Sequence, residues 1–148
     1  MKVYDTGNIR NVVLLGHGGA GKTTVAEALA YVTGTTTRMG SVPEGNTVSD
    51  YDKEEIKRKF SISATTVPVE YKGEHGDLKI NILDTPGYFD FVGEVEEAVS
   101  VADAAIIVVN CKAGIEPGTL RAWDICEKYR IPRLFFVTNM DDDHASFR

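Results

Sequence analysis

Gly16-His17-Gly18-Gly19-Ala20-Gly21-Lys22-Thr23 has the spacing G-x-x-x-x-G-K-[ST]. Glycines at that spacing let consecutive backbone N–H groups turn into one concavity, which holds anionic phosphate. Lys22 is placed to reach the β- and γ-phosphates of a nucleoside triphosphate, and the Thr23 hydroxyl to sit on Mg²⁺. Gly16 through Thr23, with the adjoining Thr24, are therefore candidate nucleotide ligands.

A second group is Asp84-Thr85-Pro86-Gly87, at the end of an apolar run. An acid at the C-terminal end of a buried strand suits a Mg²⁺-directed carboxylate. Gly87 has no side chain, so its N–H can approach a γ-phosphate closely. A third group is Thr138-Asn139-Met140-Asp141. A carboxylate there can accept from the N1–H and the amine of guanine, two donors that adenine does not offer together. A site built around substrate donors rejects analogues lacking them by about 10⁴-fold or more.

These groups need elements to hold them. Ile9 to Leu15 ends in a continuous apolar run that suits a buried parallel strand. Val25, Ala28, Leu29 and Val32 recur at helical spacing, and Gly34 follows as a C-terminal cap. Strand, glycine loop and helix in that order put the positive end of a helix dipole at the phosphates. Residues 35 to 59 are polar and without apolar periodicity, with at most one helical turn. A segment of that kind fits a loop that orders on ligand. Phe60 to Tyr71 reads as a strand, residues 72 to 77 as a hairpin turn, and Leu78, Ile80 and Ile82 as its antiparallel partner. Ala104 to Val109 and Leu134 to Val137 read as buried strands. Between them Ala122, Ile125, Cys126 and Tyr129 make a helical face, and Trp123 is assigned to the core. The expected fold is a mostly parallel α/β sheet with one antiparallel hairpin and helices on both faces.

The whole-chain numbers exclude several alternatives. A length of 148 residues suits one domain. The net charge of −6 gives no general basic footprint for nucleic acid. No apolar run reaches the length of a membrane span, and the N-terminus is not a signal peptide. Cys111 and Cys126 are expected as buried free thiols, and His17, His75 and His144 are too scattered for a metal-ligand set.

Ile9-Arg10-Asn11, Gly16-His17 and Ala20-Gly21-Lys22-Thr23-Thr24 run in order with Asp84-Thr85-Pro86-Gly87, Asp90-Phe91 and Glu94-Val95-Glu96. Gly114-Ile115-Glu116-Pro117 and Pro132-Arg133, leading to Met140-Asp141, complete the series. Together they resemble the N-terminal GTP-binding domain of the translation elongation factor G family. That family includes elongation factor G-like paralogues and tetracycline-resistance ribosomal-protection proteins. The resemblance implies a phosphate-loop NTPase of the Ras-like G-domain type over residues 1–148, incomplete at its C-terminus, with the family's downstream domains absent. It implies a GTPase stimulated by the ribosome, slow in isolation. Its cofactors are GTP or GDP and Mg²⁺, and its partners guanine nucleotide and the ribosome. It implies a cytoplasmic monomer with no membrane association. The gapless match after Pro132-Arg133 favours Asp141 as the guanine reader over the alternative register from Asn139 to Asp142.

The resemblance also assigns roles. The family's mobile switch corresponds to residues 35 to 62, where Arg58-Lys59-Phe60-Ser61-Ile62 stands for R-G-I-T-I. Ser61 is the third metal candidate, beside Thr23 and Asp84. Tyr88 stands where the family has the His that positions the attacking water. It is the candidate catalytic residue, together with Lys22. A phenol can donate or accept a hydrogen bond, but it lacks the charge of an imidazole. Thr138 and Asn139 stand where the family has an Asn that braces the loop and a Lys that packs along the base. From a different class, the alternative function is a nucleotide-binding switch or ribosome-binding module with negligible hydrolysis.

Overall fold

Alternation of apolar strands with amphipathic helices builds a five-stranded sheet. Its strands are β1 (Ile9–Leu15), β2 (Thr65–Gly73), β3 (Gly76–Asp84), β4 (Ala104–Asn110) and β5 (Arg133–Thr138). The computed structural model describes residues 2–74, 76–143 and 145, with Phe89 by its backbone only. His75 and His144 lie outside the described residues. The strand order is β2-β3-β1-β4-β5, and only the β2–β3 pair is antiparallel. The mostly parallel sheet with one hairpin is as the sequence predicts. The first hairpin strand begins at Thr65 rather than at Phe60, because residues 60 to 64 belong to the preceding loop.

Strand alternation sends Leu14 to one face of the sheet and Val13 and Leu15 to the other, all three fully buried. On the Leu14 side sits α1 (Lys22–Val32), which buries Val25, Ala26 and Ala30 against Val67, Val69 and Ile82. On the opposite side α3 (Val92–Ser100) and α4 (Pro117–Tyr129) contribute Ala98, Val99, Ala122, Ile125 and Cys126 to a second core. The inward face of α1 is rotated from the predicted one. Val32 is exposed and Ala28 and Leu29 only half-buried, whereas Glu27 is buried. Trp123 is also not a core residue. It is 41% exposed, stacks on Phe135 with ring centroids 6.0 Å apart, and carries the Arg133 guanidinium 3.7 Å from its ring centre. Cys126 is buried and Cys111 half-buried.

The polar segment after α1 holds a 3₁₀ turn (Val42–Glu44) and a short helix, α2 (Lys53–Arg58). Asp52 and Glu55 form a capping box at the start of α2. The chain passes from β1 to β3 on one side and crosses to β4 on the other. That leaves a crevice at the C-terminal end of β1, where parallel α/β sheets bind ligands.

Candidate nucleotide site

The C-terminal ends of β1 and β3 deliver the first two sequence groups to this crevice, and β5 brings Thr138 of the third against the glycine loop. After Leu15 the backbone takes left-handed values at Gly16 (φ 140°), Gly19 (82°) and Gly21 (97°). Gly16 is required for close approach as well, since a Cβ there would run into the Val108 carbonyl oxygen. Gly21 then caps α1, so the first N–H groups of the helix face the loop.

Three side chains brace the loop. Lys22 donates to the carbonyls of Gly16 (3.1 Å) and His17 (2.9 Å). The Nδ1 of His17 accepts from the Gly118 N–H at the start of α4 (3.3 Å), and its Nε2 lies 3.5 Å from Glu116. The Thr138 hydroxyl donates to the Ala20 carbonyl (2.8 Å) and is 3.3 Å from the Val109 carbonyl. Thr138 thus braces the loop although it replaces the family's Asn. A short hydroxyl suffices because β5 brings it directly against the loop.

Asp84 lies at the floor, 1% exposed, and both its oxygens are unpaired. Burial raises its carboxyl to about 6, offset in part by the nearby Thr23 and Ser49 hydroxyls and by Lys22. Burial likewise holds the Lys22 ammonium down to about 8, against the pull of Asp84. Ser61 stands 3.2 Å from the Thr23 hydroxyl and donates to Asp50 (2.6 Å). Thr23, Ser61 and Asp84, the three predicted metal positions, are therefore gathered together. Asp50 joins them, 4% exposed, with its carboxyl raised by burial. In the sequence Asp50 is one charge among many in a polar segment. No periodicity separates it from Asp52 or Glu54, and only the fold of the loop buries it.

Oxygen donors of this set suit Mg²⁺, which takes one or two carboxylates and completes its shell with water and phosphate. Among the described residues no group of three His, Cys, Asp or Glu side chains could hold a metal alone. The unpaired buried Asp84 carboxylate beside two hydroxyls fits the ion.

Gly87 is pressed against the phosphate loop. A Cβ there would meet Lys22 Nζ and would lie 2.6 Å from the Gly18 nitrogen. The Thr85 hydroxyl is committed to the Leu14 carbonyl (2.6 Å), so Thr85 fixes the turn through Pro86 rather than offering its side chain to a ligand. Tyr88, 45% exposed, lays its ring over Gly18, where a Cβ would be 3.1 Å from the ring. It also packs on Phe60 at 4.6 Å between centroids. Gly18, Gly19, Gly21, Lys22, Thr23, Thr24, Asp50, Ser61, Gly87 and Tyr88 line a cleft of about 300 Å³. Asn139, Met140 and Asp141 do not line it. They form an exposed turn after β5, with Asn139 at φ 57°.

Three buried or half-buried acids, none of them given a role from sequence, secure the polar segment. Glu27 accepts from the N–H groups of Gly40 (2.8 Å) and Val48, and Glu94 of α3 accepts from Ala64 (2.8 Å). Glu55 is the third, accepting from Ile62 (2.9 Å) and Ser63 (3.1 Å).

The profile of the elongation factor Tu GTP-binding domain matches residues 7–148. The chain belongs to this family. Among elongation-factor relatives it is 39% identical over 142 residues to an elongation factor G-like protein of Mycobacterium tuberculosis. The match covers 96% of this chain and 19% of the relative. It is 40% identical over 144 residues to the mitochondrial ribosome-releasing factor 2 of Danio rerio, covering 97% of the chain and 18% of that factor. A crystal structure of a Thermus thermophilus protein superposes with a TM-score of 0.84 at 43% identity, over 90% of this chain and 20% of that one. A bacterial selenocysteine-specific elongation factor shares the fold, with a TM-score of 0.69 at 24% identity over 90% of this chain and 21% of that one. This GTP-binding domain of the elongation factor G type thus spans about a fifth of the length of the relatives it matches. No helix among its described residues is long and apolar enough to cross a membrane.

Proposed function

We propose that this domain binds GTP with Mg²⁺ and hydrolyses it when the protein that carries it engages the ribosome. The carrying observation is the unpaired, buried Asp84 carboxylate beneath a glycine loop, with Thr23, Asp50 and Ser61 around it. Burial disfavours the charged forms of both Asp84 and Lys22. Both costs are relieved together when a cation and a polyphosphate enter.

The chain's own groups divide the work. Gly16 through Gly21 and the α1 N-terminus supply backbone donors to the phosphates. Lys22 neutralises charge that grows on the transferring phosphoryl group. Thr23 and Ser61 would hold the ion by their hydroxyls, and Asp84 and Asp50 by their carboxylates. When bound, Mg²⁺ would supply positive charge against the charge that develops during phosphoryl transfer. The Gly87 N–H faces the terminal phosphate. Tyr88 closes over Gly18 and holds a water by its hydroxyl. Asp141 reads guanine, with Thr138, Asn139 and Met140 shaping its loop. Residues 1–148 act as one GTP-binding unit, in a protein that works as a monomer in the cytoplasm.

The exposed Tyr88 in place of an imidazole favours a second reading, a binding switch with negligible hydrolysis. Single-turnover GTP hydrolysis by the full-length protein, with and without ribosomes, separates the two. Ribosomes are expected to accelerate wild type, Tyr88→Phe to lower the stimulated rate, and Tyr88→His to preserve or raise it. Unchanged hydrolysis in Tyr88→Phe removes Tyr88 from the chemistry. GTP binding without any stimulation leaves the switch reading.

A further inference from the structure

Glu55 is only 2% exposed, although it lies in a short helix whose other residues all face solvent. Its capping-box bond to the Asp52 N–H uses Oε2 (3.3 Å). That bond is explained by helix geometry. The other oxygen is not accounted for in this way. Oε1 accepts from Ile62 (2.9 Å) and Ser63 (3.1 Å), which lie beyond the helix. The Glu55 carbonyl accepts in addition from Lys59 (2.7 Å) and Phe60 (3.3 Å). Thus the two residues before Ser61 and the two after it are all hydrogen-bonded to one residue. Ser61 itself, in the middle, turns its hydroxyl to Thr23 and Asp50. Lys59, at φ 60°, is the point where the chain reverses to allow this.

We propose that Glu55 is the positioning residue for Ser61. Its carboxylate fixes the backbone at 62 and 63, and so aims the Ser61 hydroxyl at the metal position beside Thr23. The inference rests on the reading of Ser61 as a metal ligand. Groups that orient metal ligands without touching the ion typically change affinity by about 10- to 100-fold when removed.

The test is the Mg²⁺ concentration needed for half-maximal binding of a fluorescent GTP analogue to this chain, in wild type, Ser61→Ala, Glu55→Ala, Glu55→Gln and Glu55→Ala/Ser61→Ala. Ser61→Ala and Glu55→Ala are each expected to raise that concentration by about tenfold, and the double variant by no more than the larger single effect. Glu55→Gln keeps an amide oxygen for Ile62 and Ser63, so it should recover most of the loss. Amide exchange at 62 and 63 should quicken in Glu55→Ala and remain slow in Ser61→Ala. If Glu55→Ala does not fold, Glu55→Asp replaces it, because a side chain one methylene shorter cannot reach both N–H groups. A wild-type Mg²⁺ requirement in Glu55→Ala (or its stand-in Glu55→Asp), beside a weakened Ser61→Ala, overturns the positioning role. So do losses that multiply in the double variant. A wild-type requirement in Ser61→Ala overturns the metal reading of Ser61, and the positioning role with it. Failure of wild type to bind the analogue at all overturns the nucleotide reading itself.

Discussion

The proposed phosphate end of the site and its proposed guanine end are built differently. At the phosphate end, Lys22, Asp50 and Asp84 are buried, the glycine loop is braced from β5 and α4, and the polar segment is tied down by three acids. At the guanine end, Asn139 to Asp141 form an exposed turn on an edge strand. Leu134, Phe135 and Phe136 of that strand are about half exposed. Phe135 and Phe136, with Ile115, Leu120 and Trp123, line an open apolar groove of about 770 Å³. The contrast teaches where affinity and selectivity reside. On the proposed reading, phosphate recognition draws on backbone donors and buried charge held by the core, whereas base recognition depends on one carboxylate in a turn with few supports.

Removing the central cation should do the most damage. Lys22→Ala is expected to weaken GTP binding by up to about 3 kcal/mol, on the order of 100-fold, by calorimetry. Equal affinity in the two proteins would mean that the buried end does not carry binding.

Next comes the cost of the buried acid in the nucleotide-free chain. With its pKa raised to about 6, Asp84 is protonated in the folded and unfolded states alike well below its ordinary value of 3.8. As pH rises through 3.8 the unfolded chain loses its proton first, and the folded state loses stability until about pH 6, above which both states are ionised. Asp84→Asn should therefore be more stable than wild type by roughly 3 kcal/mol at pH 7, and the gap should close toward pH 4. The same variant should lose the Mg²⁺ dependence of nucleotide binding. Denaturant unfolding across that pH range measures the first effect. A gap independent of pH would contradict the burial argument.

Thr138 links the two ends, so Thr138→Val sharpens the contrast. Loss of one internal hydrogen bond should cost about 1 kcal/mol of stability and loosen phosphate binding, with Thr138→Ser close to wild type. If only guanine preference changed, the hydroxyl would belong to the base end alone.

The smallest effect is expected at the guanine end. Asp141→Asn should shift preference from GTP toward the xanthosine nucleotide with modest loss of overall affinity, because its turn is exposed. Asp142 pairs with Lys112 at 3.2 Å, so Asp142→Asn should leave base preference unchanged. Competition binding of GTP, ATP and xanthosine triphosphate reads both. A switch in Asp142→Asn alone would move the base reader by one residue.

Much of this was legible in the residues themselves. The glycine spacing of 16 to 23, the acid after the third apolar strand and the order of the motifs define the ligand class, the family and the sheet, because short-range backbone geometry and strand alternation are local properties. The inward face of α1 differs from the periodic one because Glu27 occupies a position that apolar periodicity assigns to solvent, and it turns inward to bind the loop. Trp123 lies outside the core because helical spacing does not say whether a neighbour covers the face it defines.

What only the tertiary structure decided lies in the polar segment and in the braces. The burial of Asp50, Glu27 and Glu55, the Glu94–Ala64 bond and the Thr138–Ala20 bond join residues distant in sequence or hidden among like charges. A carboxylate's role depends on which N–H groups the fold brings within about 3 Å of it. Composition is silent on that, and in this domain Ser61 lies beside Thr23 within a segment held by those contacts.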